Sequence, residues 1–163
     1  IMLITGANSM LGKSLIKFFP NAKMLKGKND LDLTDLDKVK EYFIDKHYNV
    51  IIHCAAFTNL EYCESNPDLA KILHVDVLNI LSKHCDKLIY ISTNPNKFDK
   101  VYYLTKYEGE MRTLLLNKNN LVIRTNIVGK GGLADWAITN LQNNNQINGF
   151  CNSIFNAIHV DQL

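Results

Sequence analysis

Two side chains in the middle of the chain have the types and spacing of an acid–base pair. Tyr102 and Lys106 are four residues apart in a segment with helical periodicity, so both lie on one face of a predicted helix. A free phenol has a pKa of about 10, and a nearby ammonium group favours its ionised form. We therefore expect Lys106 to lower the pKa of Tyr102 toward neutrality, where the phenol can exchange a proton with a substrate.

A tyrosine and a lysine at this spacing often occur by chance, and two further features give the pair its meaning. Ser92 and Thr93 end an apolar run at residues 88–91. Near the start of the chain, Gly6 permits a tight turn after another apolar run, and Gly12 lets the following helix pack close to a sheet. The N–H groups at the start of such a helix can face a pyrophosphate. An ordinary glycine-containing turn is the alternative interpretation.

The residues about 20 positions after the first glycine bear on which dinucleotide would bind. NAD sites usually place an acidic side chain there to bind a ribose hydroxyl, whereas NADP sites place positive charge there for the 2′-phosphate. This chain has Lys26 and Lys28 in that window, and Asp30 and Asp32 come slightly later. The pattern favours NADP(H) over NAD(H), with ordinary surface lysines as the alternative.

Strand-like and helix-like segments alternate along the chain. Continuous apolar runs such as residues 50–54 are typical of strands buried on both faces of a parallel sheet. Thr34 is the predicted cap of the second helix, and Pro67 is predicted in the first turn of the third. We predict strands at residues 1–5, 22–25, 50–54, 88–91 and 121–123, and helices at residues 10–19, 34–43, 65–85, 102–117 and 133–141. The alternation predicts an α/β fold with a doubly wound parallel sheet of the Rossmann type, which binds ligands at the carboxyl ends of its strands.

Charge and hydropathy exclude several classes of protein. There are 18 Lys and Arg residues against 16 Asp and Glu, with no concentrated basic stripe, so nucleic-acid binding is not expected. No apolar run approaches the roughly 18 residues of a membrane helix, and no signal-like segment opens the chain, so we expect a cytoplasmic protein without a membrane span. Cys54, Cys63, Cys85 and Cys151 are too far apart for a Cys-x-x-Cys site, so we expect free thiols and no metal.

Seven segments together resemble one known family. They are ITGANSMLG at 4–12, LDLTD at 31–35, HCAAFTNLEYCESNPDLA at 53–70, IST at 91–93, YYLTKYEGE at 102–110, VIRTNIVG at 122–129 and IHVDQL at 158–163. This set resembles the extended short-chain dehydrogenase/reductases, and within them the dTDP-4-dehydrorhamnose reductase family. The matches span nearly the whole chain in the family's order, which makes the set far more specific than any single motif.

The resemblance implies NADPH-dependent reduction of a 4-keto group on a nucleotide-linked deoxysugar. Tyr102 would then protonate the developing alkoxide, Lys106 would hold the nicotinamide ribose and lower the tyrosine pKa, and Thr93 would hydrogen-bond the substrate oxygen. The other residues implied in cofactor binding are Gly6, Asn8, Ser9, Met10, Leu11 and Gly12 along the pyrophosphate, Lys26, Asp32 and Leu33 near the adenosine end, and Ala55 and Ala56 beside the sheet edge.

The resemblance also implies a domain organisation and partners. Residues 1–129 would form the NAD(P)-binding Rossmann domain, and residues 130–163 would begin a substrate-binding lobe that we expect to be truncated at its end. The expected partners are a nucleotide-sugar substrate and a second copy of the chain, because relatives often pair through helices beside the catalytic one. Glu108, Glu110 and Arg112 could equally face water.

Three features of this sequence depart from the family pattern. Ser9 replaces the middle glycine of the turn, which would cost roughly 1 kcal/mol if the backbone there is left-handed, although its hydroxyl could help to bind phosphate. His74 stands where the family's helix has an asparagine that supports the catalytic lysine. The segment at residues 94–101 is shorter than in the family, and the shorter loop would leave the site more open.

Three classes of function therefore stay open at this stage. A nucleotide-sugar reductase, or a closely related epimerase, is favoured because both Tyr102 and Lys106 are retained. A non-catalytic, nucleotide-binding regulatory subunit is the alternative, since a family member serves in this way in a methionine adenosyltransferase. An interaction protein without a cofactor would leave the turn between Gly6 and Gly12 and the pair Ala55 and Ala56 unexplained.

Overall fold

Apolar runs at regular intervals build a parallel sheet, and the segments between them build its helices. The computed structural model describes residues 1–94, 98–149 and 156–163. The strands of these ranges are β1 (Met2–Thr5), β2 (Lys23–Leu25), β3 (Tyr48–His53), β4 (Cys85–Ser92), β5 (Leu121–Arg124), β6 (Ile127–Val128) and β7 (Ile158–His159). The α-helices are α1 (Met10–Phe18), α2 (Leu36–Phe43), α3 (Leu60–Ser65), α4 (Pro67–Lys71), α5 (Leu78–Leu81), α6 (Val101–Leu116) and α7 (Leu133–Gln142).

The main sheet has five strands in the order β2-β1-β3-β4-β5, and every adjacent pair is parallel. The chain leaves β1 toward one side of the sheet to form β2 and then crosses to the other side of β1 to form β3. This reversal creates a crevice at the carboxyl ends of β1 and β3, where open parallel sheets bind their ligands. The predicted doubly wound α/β fold is confirmed.

Alternation along the central strands gives the sheet an apolar face on each side. Leu3 and Ile51 belong to one buried cluster, whereas their neighbours Ile4 and Ile52 belong to another on the opposite face. Successive side chains of a strand point to opposite faces, so a strand with two apolar faces needs helices on both. Helix α2 covers the first face with Val39, among others.

The predicted helix at residues 65–85 is wrong in its continuity. Pro67 does start α4 as predicted, but the α-helical pattern stops at Lys71 and a π-helical turn follows at Ile72–Asp76. Helix α5 and a single 3-10 turn complete the segment, and Cys85 already belongs to β4, where it pairs with Tyr48. Pairing with β3 therefore places Cys85, which the helical periodicity had assigned to a helix, in a strand.

Smaller differences concern caps and short elements. Asp35, not Thr34, caps α2, and its carboxylate accepts a hydrogen bond from the Lys38 N–H. Helix α3 and the separate pair of β6 with β7 were not predicted, whereas α7 lies where it was predicted. The predicted division after residue 129 stays a prediction.

Two sequence-based expectations fall partly outside the described residues. Residues 95–97 of the short loop and Cys151 are not among them, whereas Cys54, Cys63 and Cys85 are free thiols. No helix in the described ranges combines the length and apolarity needed to cross a membrane.

Candidate functional site

The crevice at the carboxyl ends of β1, β2 and β3 contains a cavity of about 300 Å³. Loops that follow these strands form its walls, which is where a doubly wound sheet places a nucleotide. Cys54, Phe57 and Leu73 line it although they were not among the predicted cofactor residues, and Lys28, considered with Lys26 for the 2′-phosphate, lines it too. The predicted residues that line it are Gly6, Ser9, Lys26, Asp32, Leu33, Ala55 and Ala56.

Gly6 is required at its position for two separate reasons. Its φ is +64°, a left-handed conformation that side chains with a Cβ rarely adopt. A Cβ on Gly6 would also lie 2.6 Å from the backbone nitrogen of Ala55 and 2.9 Å from the carbonyl carbon of Cys54. Gly12 is confined in a similar way, because a Cβ there would lie 2.6 Å from the Cα of Ala7. The turn after β1 is therefore packed directly against the end of β3.

Ser9 does not carry the backbone strain that the sequence suggested. Its φ and ψ are −66° and 166°, an extended conformation open to any residue. The Ser9 hydroxyl caps α1 by accepting a hydrogen bond of 3.0 Å from the Gly12 N–H. Ser9 thus accepts from one of the N–H groups at the start of α1 that have no partner within the helix, and the neighbouring N–H groups point out of its N-terminal end.

The other predicted pyrophosphate residues do not line the cavity with their side chains. Asn8 is exposed and Leu11 is buried in the fold. Met10 packs against the loop after β6, where its Sδ would lie 3.1 Å from a Cβ placed on Gly129. Contacts of Met10 and Leu11 with a phosphate would therefore come from their backbone N–H groups at the positive end of α1.

Hydrogen bonds shape the loop that bears Lys26 and Lys28. The Asp30 carboxylate accepts a 2.7 Å hydrogen bond from the Lys26 N–H. Asp32 accepts hydrogen bonds from the Thr34 backbone and hydroxyl, and lies 3.6 Å from the Lys28 ammonium. Partial burial raises the pKa of Asp32, but these hydrogen bonds and the Lys28 charge together lower it below its ordinary value. Asp32 is thus an ionised carboxylate engaged within its own loop.

Thr93 and Tyr102 come together beside this crevice. Thr93 follows β4 and donates a 3.4 Å hydrogen bond to the Asn126 side chain. Tyr102 lies in the first turn of α6, which begins at Val101. Burial raises the pKa of the Tyr102 phenol, while the nearby Thr93 hydroxyl acts in the opposite direction. The net direction is upward, so the phenol holds its proton at neutral pH.

Lys106 shares the helix face of Tyr102 but points into the sheet. Its ammonium donates a 2.6 Å hydrogen bond to the Ile91 carbonyl and lies 4.1 Å from the centroid of the Tyr90 ring. Burial lowers the pKa of Lys106 to about 7, although Cys54 and Glu110 oppose the shift. Lys106 is not among the groups that shift the pKa of Tyr102, for which burial dominates, so the lowering effect of Lys106 stays a prediction.

Two buried histidines lie behind the cavity. His53 Nδ1 is 2.8 Å from the Thr5 hydroxyl, and its Nε2 is 3.2 Å from the Leu73 carbonyl. His74 bonds to the Phe57 N–H and to the Thr105 hydroxyl. Burial, with a smaller effect of the Lys106 charge, lowers the pKa of each imidazole to about 3. Both rings are neutral at physiological pH.

Glu110 also differs from expectation, since it faces neither water nor a partner. It is only 4% exposed, and its carboxylate receives the Arg124 guanidinium at 2.6 Å and the Ser92 hydroxyl at 2.5 Å. These bonds join α6 to the ends of β4 and β5. Within the described ranges, no group of three or more His, Cys, Asp or Glu side chains could hold a metal ion.

A family model described as the RmlD substrate binding domain matches residues 1–99 of this chain. The chain belongs to this family. The match covers the glycine turn, the crevice, the π-helical turn and β4. The described residues that line the cavity therefore all lie within the range that matches the family.

Individual relatives of this RmlD-family chain bear two kinds of name. Methionine adenosyltransferase 2 subunit beta from Bos taurus is 31% identical over 151 residues, which cover 76% of this chain and 45% of that protein. A dTDP-4-dehydrorhamnose reductase from Mycolicibacterium smegmatis is 29% identical over 158 residues, which cover 80% of this chain and 46% of that protein. The chain spans about half the length of the curated relatives it matches.

A solved structure gives the same assignment. The dTDP-4-dehydrorhamnose reductase of Bacillus anthracis, in complex with NADP, superposes with a TM-score of 0.72 at 27% identity. The superposition covers 89% of this chain and 60% of the reductase. Fold and family are thus established independently of the predicted site residues.

Proposed function

We propose that this chain is the cofactor-binding part of an NADPH-dependent reductase that acts on a 4-keto group of a nucleotide-linked deoxysugar. The observation that carries the proposal is the crevice between β1 and β3, with Gly6 packed against Ala55 on one side and Thr93 with Tyr102 nearby. The reductases among its relatives support the reaction class.

The residues around the crevice fit a dinucleotide. A Cβ on Gly6 would strike the end of β3, so glycine keeps the backbone close to the sheet and leaves room for a pyrophosphate at the start of α1. Lys26 and Lys28 lie on the cavity wall after β2 and supply positive charge at the adenosine end. This charge supports NADP(H) over NAD(H) because it would offset a ribose 2′-phosphate.

NADPH, when bound, supplies the hydride for such a reduction. The phenol of Tyr102, kept protonated by its burial, donates a proton to the developing alkoxide. The Thr93 hydroxyl orients the same oxygen by a hydrogen bond. Lys106 is buried on the same helix, four residues after Tyr102, and with a pKa of about 7 it can take or release a proton near neutrality.

Cofactor binding and turnover test the proposal separately. Titration with NADPH, followed by the fluorescence of the cofactor, should show saturable binding that is tighter than for NADH. Tyr102→Phe should retain that binding and lose turnover of a dTDP-linked 4-keto sugar by about 10²-fold or more, as expected for removal of a general acid. A flat NADPH titration with wild-type protein would refute the proposal.

A non-catalytic nucleotide-binding subunit is the second candidate. The hydrogen bond from Lys106 to the Ile91 carbonyl favours it, because this bond holds the ammonium in the sheet instead of directing it at Tyr102. The similarity to methionine adenosyltransferase 2 subunit beta gives it further support. Saturable NADPH binding without turnover of a keto-sugar nucleotide by wild-type protein would favour this candidate over the reductase.

A further inference from the structure

His74 occupies a position from which it touches both halves of the site. Its side chain is completely buried in the π-helical turn at Ile72–Asp76. The ring lies between the loop that follows β3 and the first turns of α6. Its centroid is 5.9 Å from that of Tyr102, with the two rings nearly perpendicular.

The hydrogen bonds of His74 fix the direction of each proton. The backbone N–H of Phe57 can only donate, so His74 Nε2, at 3.1 Å, is the acceptor and carries no hydrogen. In the neutral ring the hydrogen then lies on Nδ1, which is 2.8 Å from the Thr105 hydroxyl oxygen. Thr105 in turn donates to the Val101 carbonyl at 2.8 Å. Every donor in this series of hydrogen bonds has an acceptor.

This series of hydrogen bonds joins the wall of the cavity to the start of α6. Phe57 belongs to the wall of the cavity, and Val101 and Thr105 belong to the start of the helix that bears Tyr102 and Lys106. The π-helical turn widens the helix where His74 lies, and the His74 carbonyl accepts a 3.0 Å hydrogen bond from the Tyr90 hydroxyl. Backbone and side chain of one residue are thus both held.

We propose that His74 is a positioning residue, which sets the separation between the cofactor wall at Phe57 and the proton-donating turn of α6. The inference rests on the proposed function, because it assigns the cavity to NADPH and the proton to Tyr102. His74 touches neither the hydride nor the phenolic proton. A small displacement of one half of a site relative to the other can cost a large factor in rate, so a rigid link between them is useful.

Amide hydrogen exchange tests the link without any cofactor. His74→Leu removes both side-chain bonds, and we expect the Phe57 amide to exchange at least tenfold faster. Thr105→Val removes the far end only, so accelerated exchange at Phe57 in this variant would show that the two ends act together. His74→Gln keeps one acceptor and one donor and should retain wild-type exchange at Phe57.

Thr113→Val provides the matched control on the same helix. Thr113 is buried and donates to the Gly109 carbonyl at 2.8 Å within α6. Its substitution should lower the unfolding midpoint without changing Phe57 exchange or NADPH affinity. His74→Leu should instead weaken NADPH binding about fivefold or more at comparable stability, and His74→Gln should restore it.

The outcomes separate this inference from the proposed function. Unchanged Phe57 exchange in His74→Leu or Thr105→Val, with normal NADPH binding by wild-type protein, would overturn the positioning role alone. Equal NADPH affinity of His74→Leu and wild-type protein would do the same. A flat NADPH titration of wild-type protein would overturn the proposed function, and with it the cofactor half of the inference, while the exchange data would still decide whether the link exists.

Discussion

Replacing Gly6 by alanine is the sharpest test of how the crevice is built. The substitution adds one methyl group, but it does so where φ is +64° and where the new Cβ would lie 2.6 Å from the Ala55 nitrogen. Two independent penalties are therefore imposed by one atom. Both fall on the contact between the turn after β1 and the end of β3.

The two penalties have different sizes. A left-handed backbone costs a non-glycine residue about 1–2 kcal/mol. Overpacking against backbone atoms that cannot rotate away adds about 1–3 kcal/mol. We therefore expect Gly6→Ala to lower the free energy of unfolding by about 2–5 kcal/mol, a large fraction of the total stability of a domain.

Two other glycines allow the penalties to be separated. Gly131 has a φ of +81° but open space around a Cβ, so Gly131→Ala should show only the backbone cost of about 1–2 kcal/mol. Gly27 has neither a left-handed backbone nor any atom within 4 Å of a Cβ, so Gly27→Ala should change stability by less than about 0.5 kcal/mol.

Urea unfolding of the three variants measures these differences, and NADPH titration measures their effect on the crevice. Gly6→Ala should lose cofactor binding at denaturant concentrations where it is still folded, because the turn and Ala55 must move apart. Equal stability losses in Gly6→Ala and Gly131→Ala, with unchanged NADPH affinity, would refute the argument that close packing against β3 shapes the site.

Three further predictions concern charges. The pKa of Lys106 in the folded protein is about 7, below its ordinary value, so the unfolded state binds more protons between about pH 7 and pH 10. The free energy of unfolding should therefore rise over this pH range, and Lys106→Met should lack the rise. Glu110→Gln should lower the free energy of unfolding by about 1–3 kcal/mol, against less than about 0.5 for exposed Glu108→Gln. Lys26→Glu should weaken NADPH binding at least about tenfold and spare NADH, whereas exposed Lys83→Glu should affect neither, as measured by fluorescence titration.

Local patterns in the sequence are sufficient to predict most of the sheet. The run at residues 50–54 is apolar on both faces, and all of it except Cys54 lies in the central strand β3 between β1 and β4. The left-handed turn at Gly6 is equally local, because a tight turn between a strand and a helix favours glycine, whereas the close contact of Gly6 with Ala55 is not local. The apolar strand and the glycine turn depend on neighbouring residues, so local patterns predict them.

Features that depend on distant residues could not be predicted in the same way. The buried carboxylate of Glu110 is paired with Arg124, which lies at the end of β5 and is distant in the sequence. The helix around His74 changes to a π-helical turn while its carbonyl meets the Tyr90 hydroxyl from β4. No periodicity within residues 65–85 records these partners. Tertiary contacts therefore decide where the helix breaks and which charges are buried.

The orientation of the Lys106 side chain is a feature that helix spacing does not predict. Spacing of four residues fixes a shared face, but it leaves open where a flexible side chain with several rotatable bonds will point. The Ile91 carbonyl and the Tyr90 ring lie beneath α6, and both attract an ammonium group. With His53 and His74 neutral, the Glu110 carboxylate is the group of opposite charge that supports the buried Lys106 cation. Below its pKa of about 7 the Lys106 ammonium has three N–H donors, so the bond to the Ile91 carbonyl leaves two for other acceptors, and loss of the proton near neutrality reduces that number.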